Sequence, residues 1–272
     1  MTGFNQKVIS ERKLTVLVLL ILLISTGFFF SLYSWYTDLI FQNMLTMASF
    51  LLSGFVGIMA FIKFFTRKKN KYLFIGSGFL VASFLEGFST FVSFELGSTV
   101  WSAARILLGA FVLLSLKDWK EGEGIQKGLK PRVYISAAFS AVLIIGAVYL
   151  LPTYSPYWKF IIFSRPLELV AMALFGFAVL GYWQKGYWTF KFFEFWFVLS
   201  LITAFFGQAY LAMSANYFDS MFNVGNIFRL LSYLFTLVGL LMSTFAAFRE
   251  IEAEKKIQAG YTSGEYLVKR TK

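Results

Sequence analysis

The chain of 272 residues is 58% apolar, 21% aromatic and only 14% charged, whereas soluble domains keep about a quarter of their residues charged. Its net charge of +11 therefore calls for a membrane explanation before a nucleic-acid one. With no Cys and no His, the sequence excludes disulfides, thiolate chemistry, zinc and iron–sulfur sites, histidine-ligated haem, Ser-His-Asp triads and histidine pH switches.

In a bilayer every backbone polar group must be paired within its own segment, and about 20 apolar helical residues cross the hydrocarbon core. Eight apolar runs meet this requirement, at 14–35, 43–66, 72–94, 99–117, 133–152, 160–183, 192–215 and 226–248. The expected fold is an all-α polytopic membrane bundle of eight transmembrane helices. Residues 1–13 are read as an N-terminal tail, 14–248 as the membrane domain and 249–272 as a C-terminal helix and tail. The first run lacks a small-residue cleavage site followed by a soluble domain and is read as a retained helix. After the eighth, Arg249 to Ala259 continues as a charged helix that Gly260 and the Ser263-Gly264 pair are expected to break.

Orientation follows from Lys and Arg in the short connections. With the N-terminus inside, the inner segments hold 20 basic residues, concentrated at Lys7–Lys13, Arg67–Lys71, Lys117–Arg132, Lys185–Lys191 and beyond Arg249, against one outside, Lys159. The outer connections carry Asp38, Glu95 and Asp219. Both termini are thus expected in the cytoplasm, with the chain in a prokaryotic cell membrane. Trp35 with Tyr36, Tyr157 with Trp158, and Tyr182 with Trp183 fall where interfacial aromatic belts belong.

Topology does not explain the ionisable residues within the spans: Glu86, Arg105, Arg165, Glu168 and Arg229, with Glu194 near the inner end of the seventh and read as a partner of Lys191. A charged side chain alone at mid-bilayer costs about 2.5–3.5 kcal/mol on insertion scales, so these need partners, water or an interface. At a rise of about 1.5 Å per residue, all five lie within roughly 12 Å of the outer ends of their spans. Ser83, Glu86, Thr90 and Ser93 share a helix face, as do Ser98, Ser102, Arg105 and Gly109 on the next span. Antiparallel neighbours with polar stripes at matching depth predict a Glu86–Arg105 ion pair, and Arg165 and Glu168 a second pair within their own span. The eighth span repeats the pattern with Arg229, Ser232 and Thr236, and the seventh offers Ser200, Thr203, Gly207 and Gln208. One reading makes these stripes helix–helix glue. The other makes them a net-positive outer-leaflet pocket for a carboxylate, a phosphate or a lipid head, with Arg229 unmatched unless Asp219 or Glu95 neutralises it. Pro166 frees the carbonyl of Ile162, so the sixth helix is expected to kink or to begin properly near Ser164-Arg165-Pro166, leaving a helix N-terminus beside Arg165.

Three segments carry a family resemblance. They are Lys71-Tyr72-Leu73-Phe74-Ile75-Gly76, then Phe84-Leu85-Glu86-Gly87-Phe88-Ser89-Thr90, then Val100-Trp101-Ser102-Ala103-Ala104-Arg105. Together they resemble the third class of bacterial and archaeal membrane-associated sensor (MASE-type) domains, and Phe228-Arg229-Leu230-Leu231-Ser232-Tyr233 is similar to the segment opening that family's last helix. The resemblance implies a shared polar cluster of Glu86, Trp101, Arg105 and Arg229. Ser89 stands where the family usually has His, and the short tail departs from members that continue into a histidine kinase or cyclase module.

The expected function is a sensory or ligand-binding membrane domain. Its candidate site comprises Glu86, Ser89, Trp101, Arg105, Arg165, Glu168, Gln208, Arg229 and Tyr233, and its signal leaves through the last helix. The alternatives are a membrane enzyme acting on lipid-like substrates, with Glu86 as acid or base, and a small-solute transporter. The candidate partners are membrane lipids, a small anionic or lipid-like ligand, a cytoplasmic kinase or cyclase and a second copy of the chain, with no nucleic acid, cofactor or metal.

Overall fold

The computed structural model describes residues 2–117, 123–150 and 165–270. Among these lie eight α-helices and no strand: α1 (Thr2–Leu32), α2 (Leu39–Arg67), α3 (Asn70–Ser89), α4 (Phe94–Leu116), α5 (Glu123–Leu150), α6 (Pro166–Gln184), α7 (Phe192–Met213) and α8 (Ser220–Arg270). Each contains a stretch long and apolar enough to cross a membrane, as expected from the eight apolar runs.

The boundaries have local causes. Asp38 caps α2 by accepting a hydrogen bond from the Phe41 N–H at 2.9 Å, and Lys68, in the left-handed region at φ 54°, ends it. Pro166 occupies the first turn of α6, where its missing N–H costs nothing, with Arg165 as the N-cap residue; of the two expectations for this helix, a start at Pro166 is the one found. Both carboxylate oxygens of Asp219 are used at the start of α8, one by the Phe222 N–H and the other by those of Ala215 and Asn216. Asp219 is therefore a cap and does not neutralise Arg229.

Three helices are longer than their apolar runs. The α1 helix includes most of the segment read as an N-terminal tail, and α5 runs through Pro131 from Glu123, ten residues before the expected start. The α8 helix continues through Gly260 and Ser263-Gly264 to Arg270. A glycine lowers helix propensity by only about 1 kcal/mol and does not end a helix whose neighbours continue it. At 51 residues, α8 is about 75 Å long. Tyr157, Trp158, Lys159 and Ile162 lie outside the described residues.

Six helices pack in a closed ring, α2–α3–α4–α6–α7–α8 and back to α2. The remaining two lie outside it, α5 against α3 and α4, and α1 against α7 and α8. Arg12 of α1 donates to the Trp188 carbonyl at 2.9 Å, and Lys185 donates to the Leu116 carbonyl at 2.5 Å. These contacts place the start of α1 with Arg67–Lys71, Lys117, Lys185 and Lys191 at one end, called here the basic end.

Polarity is inverted relative to a soluble bundle. Leu17, Ile21, Phe28, Phe55, Phe139, Phe177 and Phe245 face outward, while Glu86, Arg105, Glu168 and Arg229 are buried. Where apolar burial does not distinguish inside from outside, helices associate through close packing and interhelical hydrogen bonds. The α7–α8 contact shows the packing: a Cβ added at Gly225 would lie 2.8 Å from the Gly207 carbonyl oxygen and 2.5 Å from Leu211. Because one of the two obstacles is backbone, a rotamer change of Leu211 alone does not relieve the clash. Gly225→Val is therefore expected to cost at least the ~1–3 kcal/mol typical of overpacking and to lower the thermal midpoint in detergent, while Gly128→Ala, inside α5 with open space around it, does not lower the midpoint.

Candidate functional site

The ring encloses the charges that the sequence places within spans, and pairs them differently from expectation. Arg105 Nη1 on α4 donates to Glu168 Oε1 on α6 at 2.7 Å, and Ser102, one turn earlier on α4, donates to the same oxygen at 2.7 Å. Arg229 Nη1 on α8 lies 3.5 Å from Glu86 Oε1 on α3, and Tyr233, one turn later on α8, donates to that oxygen at 3.0 Å. Each carboxylate thus meets an Arg and a hydroxyl from a single helix face. The two pairs are close enough that Arg229 also feels Arg105 and Glu168. All four side chains are at most 3% exposed.

The expected Glu86–Arg105 and Arg165–Glu168 ion pairs are not what forms. In the ring α4 packs against both α3 and α6, and the Arg105 guanidinium reaches the α6 side, to Glu168. Arg165 precedes the first helical turn, with φ −132° and ψ 85°, so the helical i,i+3 spacing that would set it beside Glu168 does not apply. Its guanidinium instead covers the rings of Tyr217 and Phe222, 4.2 and 4.6 Å from their centroids. The carboxylate of Glu168, in the first turn of α6, already supplies negative charge at that helix N-terminus. An anion attracted there would compete with it.

Ser89 and Trp101 form a second layer toward the end opposite the basic one. Trp101 Nε1 donates to Ser89 Oγ at 2.5 Å, and Ser89 Oγ donates to the Glu86 carbonyl at 2.5 Å. Where the resembled family has His, the serine therefore ties α4 to the last turn of α3. Trp101 packs with Leu211 and Phe222, and Tyr217 donates from beside Arg165 to Ser98 Oγ at 2.8 Å. Gln208 is buried on α7, one residue from Gly207, which abuts α8 at Arg229. Its side-chain oxygen has no hydrogen-bond partner among the described residues, nor do Arg105 Nε, Arg229 Nε and Glu168 Oε2. Of the nine candidate residues, five share the charged centre: Glu86, Arg105, Glu168, Arg229 and Tyr233. Ser89, Trp101 and Arg165 form the second layer, and Gln208 joins neither set of bonds.

Three polar features escaped the reading of the sequence. An amide cluster locks the α1–α2 turn to α8. Asn223 Oδ1 accepts from Thr37 at 2.8 Å and from Gln42 at 2.5 Å, Asn223 Nδ2 donates to the Trp35 carbonyl at 2.9 Å, and Asn226 donates to Gln42 at 3.3 Å. Its signal was the Asn223/Asn226 spacing of three at the start of an apolar run, passed over because the amides are neutral. Glu194 pairs with Lys71 of α3 and not, as expected, with Lys191, because the α3 and α7 ends meet across the ring. Lys63, four residues inside the end of α2, is buried and bonded to Ser243 of α8. It was hidden by its nearness to the Arg67–Lys71 run.

No family model, curated protein or solved structure matches this chain.

Breaking a buried pair by removing one partner typically costs about 3–5 kcal/mol, because the other charge stays buried. Arg105→Ala should lower stability by that order. Adding Glu168→Gln should recover part of the loss, while adding Glu86→Gln should bring a further loss of its own. Thermal unfolding of the single and double variants in detergent measures both couplings.

Proposed function

We propose that this chain is a membrane-embedded sensory or ligand-binding domain of the kind its MASE-like segments resemble. It would reside in a prokaryotic cell membrane with both ends of the chain in the cytoplasm. The observation that carries the reading is the dual position of α8. The helix contributes Arg229 and Tyr233 to the buried charge cluster and continues without a break to Arg270, well beyond the end of its apolar segment at Ala246. Any rearrangement that changes how Arg229 meets Glu86 is thereby applied to one continuous helix.

The input would be a small anionic or lipid-like ligand acting on the outer layer of Trp101, Arg165, Tyr217 and Phe222. This layer couples to the cluster through short covalent paths. Arg165 lies three residues from Glu168 on α6, Trp101 four from Arg105 on α4, and Phe222 seven from Arg229 on α8. A ligand that draws Arg165 off its two rings frees Phe222 and hence the start of α8. The ligand drives the change only by the difference in its affinity for the two helix arrangements. The output would be a cytoplasmic kinase or cyclase contacted by the α8 extension.

Two measurements test this reading. The chain has no Cys, so single cysteines can be introduced without background. In intact cells, an impermeant maleimide should label a cysteine at Asn216 and leave one at Lys117 unlabelled; the reverse pattern would overturn the orientation. Spin labels at Lys185 and Phe248 report the position of α8 relative to α6. Glu86→Gln should shift their distance distribution, and a distribution identical to that of the parent would refute coupling through the cluster.

A further inference from the structure

The basic end contains two cavities, of ≈ 430 Å³ and ≈ 280 Å³, that share Lys69, Lys71, Lys191 and Glu194. Lys63 and Arg67 also line the larger, and Lys117 and Lys185 the smaller. Seven basic residues thus surround one carboxylate, that of Glu194, which is bound to Lys71.

A topology signal alone accounts for basic residues at this end, but such residues normally extend their ammonium groups into water. Lys63 does the opposite. It is 6% exposed, its ammonium lies 4.8 Å from the ring centroid of Tyr72 and 5.0 Å from that of Phe193, and its hydrogen-bond partner is the neutral hydroxyl of Ser243. Lys71 lies over the same two rings. Burying a cation against a hydroxyl and two aromatic faces, with the nearby Glu194 carboxylate already bound to Lys71, is costly, and a bound anion offsets that cost.

The backbone contributes to the same charge balance. The N-termini of α3 and α7 both open on the larger cavity, at Lys69–Lys71 and Lys191–Glu194, and neither N-cap residue supplies a side-chain hydrogen bond. The positive ends of these two helices favour an anion there, and lysines bind phosphate as point charges. Exposed Phe190 and Phe192 form an apolar edge of the cavity.

We propose that the basic-end cavity is a binding site for a phosphate group, with Lys63, Lys69, Lys71 and Lys191 as its principal ligands. The phosphate belongs either to an anionic lipid headgroup or to a soluble phosphate compound. Because Lys63 joins α2 to Ser243 on α8, occupancy of the site stiffens the output helix at the point where it leaves the ring. The site is separate from the outer charge cluster and does not depend on its proposed role.

The test measures thermal midpoints of the full chain, in neutral detergent with increasing pyrophosphate and in nanodiscs of phosphatidylcholine with or without phosphatidylglycerol. A ligand bound only by the folded state raises the midpoint. A saturable rise with pyrophosphate in detergent supports the site and assigns it to soluble phosphate compounds, and a rise confined to phosphatidylglycerol nanodiscs supports it and assigns it to the headgroup. Lys63→Met should weaken the apparent affinity about tenfold, as expected for one lost charge-assisted contact. Lys69→Gln, at an exposed position, provides the same comparison if Lys63→Met does not fold. No rise with either phosphate source overturns the proposal, as does an equal rise in the parent and in the folded variants.

Discussion

The interior of this bundle is organised by the need to keep charge away from an apolar perimeter. Two Arg and two Glu are enclosed by six helices, and each carboxylate oxygen that accepts a charged donor also accepts a hydroxyl from the same helix face. The Arg105–Glu168 contact joins α4 to α6, and the Arg229–Glu86 contact joins α8 to α3. Neighbouring contacts in the ring, such as the near touch of Gly207 and Gly225, close it around these pairs. In such an environment an unpaired ion costs several kcal/mol, so the pairs act as constraints on helix position more than as sources of net stability.

Polar groups also continue along the inside of the ring. Ser200 and Thr236 share a hydrogen bond at 2.7 Å between α7 and α8, and Ser115 and Tyr182 share one at 2.7 Å between α4 and α6. Farther toward the basic end are Lys71 with Glu194 and Lys63 with Ser243. Every helix of the ring contributes at least one of these groups. A displacement of one helix therefore exchanges several hydrogen bonds at once, the physical condition for discrete arrangements instead of gradual deformation.

The α8 helix takes part at three levels: Asn223 and Asn226 at the turn after α1, Arg229 and Tyr233 at the charge cluster, and Ser243 at the basic end. The α2 helix runs beside it, with Gln42 at the first level and Lys63 at the last. The proposed sensing role and the proposed phosphate site therefore share one mechanical element while using different ligands at opposite ends. Their contributions are separable by substitution, because Glu86 and Lys63 have no partner in common.

Hydropathy and length determined the eight helices, because an apolar run of about 20 residues is a property of the chain alone. They also isolated Glu86, Arg105, Arg165, Glu168 and Arg229 as residues in need of partners. Helical spacing correctly grouped Ser102 with Arg105 on one face, but it could not choose the facing helix. That choice is visible only in the assembled ring, where Arg105 reaches α6 although α3 is also its neighbour, and Arg229 and Tyr233 reach Glu86 on α3. The fate of Arg165 was decided by one non-helical backbone conformation before Pro166, and that of Lys63 by the approach of α2 to α8. Sequence thus determined which residues the apolar environment obliges to pair. Only the tertiary structure decided with which, since ion pairing depends on distances of a few ångströms between segments far apart in the chain.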